Sequence, residues 1–108
     1  MRYNEYFNLI KNALEAESLE MFIAENGYAA NCEYSPMDYV KAMTLIYDTA
    51  HGNIKNIIDF VGAGQTGFAN KYGLKLRTVQ SWYANVSKTT DAMICLLGFA
   101  ILSEIPKE

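Results

Sequence analysis

Few residues of this chain are spaced for covalent or metal chemistry. The one histidine, His51, is followed by Gly52. Catalysis by an imidazole needs a Ser, Cys or carboxylate constellation around it, and the sequence offers none near His51. A helix-end imidazole close to the last carbonyls is the expectation. Cys32 and Cys95 stand 63 positions apart, with no paired spacing and no histidine beside either. That excludes the usual metal and redox motifs and points to free thiols in a reducing compartment. Glu15, Glu17 and Glu20 cluster at one helix end, but acid–base work needs a pocket that raises a pKa. A solvated face is the simpler reading. Gly62, Gly64 and Gly67 spell G-x-G-x-x-G, which cradles a dinucleotide only after a strand and about 20 positions before an acid. Here Ile54, Ile57, Ile58 and Val61 precede it at helical spacing, and no Asp or Glu occurs between Asp59 and Asp91. The glycines therefore read as the end of one helix and the turn into the next. No enzymatic activity, cofactor or metal is expected.

What remains is the recognition of phosphates and base edges. Residues 1–62 carry a net charge of −5 and residues 63–108 a net +2, within a chain of net −3. The whole chain has no general attraction to nucleic acid, yet Lys71, Lys75, Arg77 and Lys88 form a local basic stretch free of carboxylates. Within it, Phe68, Ala69 and Tyr72 suit a short helix with one buried side. Gly73 can adopt the left-handed conformation that ends a helix sharply, and Leu74 can plug the turn. A second helix over 76–85 then places Val79 and Trp82 inward and Arg77, Gln80, Ser81 and Asn85 outward. That is the layout of a helix-turn-helix.

At these residues the sequence resembles the phage-repressor-like helix-turn-helix family of the Xre and Cro type. Phe68-Ala69, Lys71, Gly73, Arg77-Thr78-Val79-Gln80 and Trp82 match the family pattern in order and spacing, and Leu96-Leu97 suits its closing helix. The resemblance covers about residues 53–103. The chain departs from the pattern at Tyr83, where an acid is frequent, and at 84–88, where a glycine is expected. Lys75 replaces the usual Ser or Thr cap, and Leu76 stands where a polar base-reader is common. The resemblance implies a role for each matching position. Arg77, Gln80 and Ser81 would read bases, Arg77 by bidentate contact with guanine and Gln80 with adenine. Gln65, Thr66, Lys71, Lys75 and Lys88 would fix register on phosphates.

The surrounding elements must position that stretch. A chain of 108 residues that is 51% apolar and 19% charged suits one folded domain. Tyr3, Tyr6, Phe7, Ile10, Ala13 and Leu14 recur at helical spacing. Ser18 can cap a second helix that stops at Asn26-Gly27, and residues 27–35 read as a loop. Ser35-Pro36 starts a helix with Val40, Met43, Tyr47 and Ala50 as its stripe, and Asn53 can cap the next. The fold class is all-α, with five to seven helices: an acidic helical region over 1–52 and a helix-turn-helix region over 53–108, joined in one compact unit.

The longest apolar run, Ala92 to Leu102, has 11 residues, short of the roughly 20 that span a membrane. The N-terminus lacks the layout of a signal peptide, and a cytoplasmic location follows. Because 92–102 is apolar nearly all round, one face can pack in the domain and the other against a second copy. Eight carboxylates between Glu5 and Asp48 would repel a phosphate backbone, and the tyrosines among them suit a protein partner. The expected function is non-catalytic binding of double-stranded DNA by a repressor-like regulator. The alternative is an antitoxin-like or adaptor module that binds protein through a degenerate helix-turn-helix.

Overall fold

A computed structural model describes residues 1–27 and 33–107. Over these residues the chain is all-helical, with seven helices and no strand. In chain order they are α1 (Tyr3–Glu15), α2 (Leu19–Asn26), α3 (Pro36–Ala50), α4 (Ile54–Val61), α5 (Gly64–Tyr72), α6 (Leu76–Tyr83) and α7 (Asp91–Leu102). Local chemistry starts four of them. The side-chain oxygens of Ser18, Ser35, Asn53 and Thr90 accept the backbone N–H of Met21, Asp38, Asn56 and Met93 at 3.1–3.4 Å. Each bond satisfies an amide that the helix leaves free, worth about 1 kcal/mol. Pro36 takes the first position of α3, where a missing N–H costs nothing. Cys32 and most of the expected loop lie outside the described residues.

α3 is the central strut, packed on α1, α2, α4 and α7. Neighbours on several sides widen its buried arc to Ala42, Met43, Leu45, Ile46 and Thr49. Val40, expected in the stripe, is exposed instead. On α1 the buried set narrows to Tyr6, Ile10 and Ala13, leaving Tyr3, Phe7 and Leu14 exposed. One apolar cluster joins both halves of the sequence, from Tyr6, Phe22 and Ile46 to Ile57, Phe68, Trp82 and Leu97. Fully burying each such side chain stabilises the fold by about 1.5–3 kcal/mol.

α7 approaches α1 and α3 closely at Gly98. A Cβ there would lie 2.6 Å from both Thr49 Oγ1 and Tyr6 Oη. Tyr6 Oη donates to the Cys95 carbonyl at 2.8 Å, which ties α1 to α7, and burial pushes the Tyr6 phenol pKa well up. His51 caps the end of α3 as expected, but the carbonyl it meets belongs to another helix. Its Nε2 lies 3.1 Å from the Ala13 carbonyl oxygen near the end of α1. Because a carbonyl only accepts, that nitrogen is the donor. No helix among the described residues is long and apolar enough to cross a membrane.

Candidate nucleic-acid interface

The glycine-rich segment joins helices. Gly62 caps α4 in the left-handed region at φ 73°, and Gly64 begins α5. Residues 54–61 are helical, so the strand that a dinucleotide fingerprint requires is missing. α5 runs to Gly73, also left-handed at φ 68°. The Leu74 N–H then bonds back to the Ala69 carbonyl at 2.8 Å, and two residues later α6 begins. Phe68 and Ala69 on α5, with Val79 and Trp82 on α6, are buried and fix the pair. α6 stops without a glycine. Asn85 takes the left-handed conformation at φ 59° instead, one of the few residue types that does so readily.

The starts of α5 and α6 differ from those of the other helices. α2, α3, α4 and α7 have side-chain caps, and α1, α2, α3 and α7 carry an acid in their first turn. α5 and α6 have neither. Their N-caps are Ala63 and Lys75, so the first amides of both helices have no side-chain acceptor within the fold. Lys75, Arg77 and Lys88 are exposed and make no ion pair or ring contact among the described residues. No group of three or more His, Cys, Asp or Glu among those residues could hold a metal ion.

The eight candidate residues do not all share one environment. Thr66, Lys75, Arg77, Gln80 and Lys88 are exposed. Gln65 is half-buried in a cleft of about 220 Å³ that it shares with Asp59, Gly62, Gly64 and Tyr83. Ser81 is half-buried, and its hydroxyl pairs with Ser87 Oγ at 2.7 Å, which ties α6 to the following loop. Lys71 turns to the end of α7, where its ammonium lies 2.7 Å from Glu104. That carboxylate raises the Lys71 pKa. The exposed residues of α6 are Leu76, Arg77 and Gln80, and Ala84 just past its end is exposed too.

The edge of α6 is set by a contact that no local sequence signal announces. Tyr83 Oη donates to Asp59 Oδ1 at 3.0 Å, and Lys55 Nζ stands 5.2 Å from the Tyr83 ring centroid. The hydrogen bond to Asp59 raises the Tyr83 pKa. Tyr83 therefore links α6 to α4 at the position where the helix-turn-helix pattern often has an acid.

Comparison with known proteins finds no matching family model, no matching curated protein and no matching solved structure.

Proposed function

We propose that this chain binds double-stranded DNA without catalysis, as a repressor-like regulator of the helix-turn-helix type, with α6 in the major groove. The observation that carries this reading is the paired, uncapped, acid-free starts of α5 and α6 beside Lys75 and Arg77. Free amides and cations at a helix start are complementary to phosphate. Arg77 and Gln80 extend from the exposed face of α6 as base-readers. Gln65, Thr66, Lys75 and Lys88 contact the backbone. Ser81 and Lys71 are engaged within the chain and contribute less.

A second observation favours an interface with protein. The outward face of α7 exposes Ala92, Met93, Leu96 and Ala100, and Phe99 continues it to the exposed Tyr3 and Phe7 of α1. A second copy is the partner that DNA binding would use, because two half-sites then act together. If DNA binding fails, the same face serves the protein-interaction reading.

The test is a titration against duplex DNA from the chain's own upstream region and a scrambled duplex, at several salt concentrations. DNA binding predicts a preference for the upstream duplex and a salt slope of roughly −0.9 per neutralised phosphate. No binding at low salt would reject it. Sedimentation at several concentrations tests the pairing, and a concentration-independent monomer would reject that.

A further inference from the structure

We propose that the groove between α3 and the ends of α4, α5 and α7 binds a small amphipathic monocarboxylate, with Lys41 holding its head. This site stands apart from DNA binding, because none of its residues is a proposed base-reader. The groove encloses about 500 Å³. Small-molecule sites of that size are concave, mainly apolar and carry a few polar groups that fix orientation. The apolar surface comes from Phe60 and Val61 at the end of α4, Ile101 of α7, and Ile105 and Pro106 just after it. Phe60 and Val61 are half-buried and pack on the core, which holds this surface in place.

Four charged side chains line the same groove, and three of them are answered within the fold. Lys71 and Glu104 pair at 2.7 Å. Asp38 lies in the first turn of α3, where the helix dipole favours an acid. Lys41 has one ion-pair partner among the described residues, Asp38 at 4.0 Å, which is too far for a hydrogen bond. Its side chain is 58% exposed. The charge left over is therefore a cation, and the complementary head is an anion. A carboxylate at Lys41 makes the charge-assisted hydrogen bond that Asp38 does not. An alkyl chain then lies along Phe60, Val61, Ile101 and Ile105. Acetate supplies only the first contact and an alcohol only the second.

Octanoate tests this, titrated below its micelle concentration into the full chain and followed by two-dimensional amide NMR. The expected result is a saturable shift of the Phe60, Val61, Ile101 and Ile105 amides. Octanol, with the same chain length and no charge, is expected to bind roughly tenfold more weakly, the worth of one charge-assisted hydrogen bond. Acetate at the same concentration leaves the four amides in place. Lys41→Gln abolishes the preference for octanoate over octanol, and Lys41→Arg keeps it. Because Lys41 is exposed, both variants are expected to fold, and thermal melts check this. No saturable shift with octanoate would overturn the proposal, as would shifts centred on Met37 and Val40 or on Met93 and Leu96. Equal binding of octanol by the unaltered chain would overturn it as well, and so would a Lys41→Gln variant that still prefers octanoate.

Discussion

Lys75 stands at the N-cap of α6 and Arg77 two residues further on, so two cations share the positive end of one helix dipole. The Lys75 backbone is extended, at φ −74° and ψ 134°, the conformation of a capping residue. The helix start is thus shaped for a side-chain cap and lacks one. Glu5, Glu20, Asp38 and Asp91 fill the first turns of α1, α2, α3 and α7. An anion supplied from outside would complete α6 as those acids complete their own helices.

Replacing Lys75 with Asp supplies the missing cap and reverses the charge. Lys75→Asp is expected to stabilise the fold by about 1 kcal/mol, read from thermal or urea unfolding. The same variant is expected to bind duplex DNA more weakly by fluorescence anisotropy. A stabilised variant with unchanged DNA affinity would remove Lys75 from the interface.

Arg77 and Lys88 should fail in different ways. Arg77→Ala is expected to cost about 1–3 kcal/mol and to relax preference at one base pair. Lys88→Ala is expected to weaken all duplexes alike and to reduce the salt slope by about 1. Lys71→Ala should leave that slope unchanged, because its ammonium is held by Glu104. A lower slope for the Lys71 variant would show that the ion pair opens on DNA.

Much of this was legible because it is local. Ser18, Ser35 and Asn53 act on amides three residues away, so short polar residues before apolar periods marked three helix starts. The spacing of Phe68, Gly73, Val79 and Trp82 placed α5 and α6 for the same reason. Tertiary partners were not legible. Lys71 looked like a free cation until the end of α7 brought Glu104 to it. Ser81 looked outward until the loop after α6 returned Ser87. Of the stripe expected on α3, Met43 is buried, Tyr47 and Ala50 pack partly buried against the core and Val40 is exposed, because periodicity describes one buried face and α3 has neighbours on several sides.

Gly98→Ala tests the junction of α1, α3 and α7. The added methyl would meet Thr49 and Tyr6 oxygens at 2.6 Å, and overpacking of this kind costs about 1–3 kcal/mol. Tyr6→Phe, which removes the hydrogen bond to the Cys95 carbonyl, should cost about 0.5–1.5 kcal/mol. Unfolding in urea measures both, and a neutral Gly98→Ala would mean that the helices separate at no cost.

Asp48 gives a pH signature. Burial raises its pKa, while the Asn56 amide at 3.3 Å and His51 act in the opposite direction. A carboxyl whose folded pKa exceeds its unfolded value destabilises the fold when ionised. The penalty is present above the folded pKa and disappears as pH falls through the carboxylate range. Asp48→Asn keeps an acceptor for Asn56 and removes the charge. Its Tm should exceed that of the unaltered chain at pH 7, and the gap should close in acid. A gap that persists below the carboxylate range would assign the effect to packing.

The most direct test of DNA binding is a two-dimensional amide NMR titration of the whole chain with duplex DNA at low salt. The predicted shifts fall on the uncapped starts of α5 and α6, Gly64 to Thr66 and Leu76 to Arg77, and on Gln80 and Lys88. The amides of α2 and α3 should stay in place. Shifts confined to α1 and α7, or no shift at a large excess of duplex, would contradict DNA binding through α6.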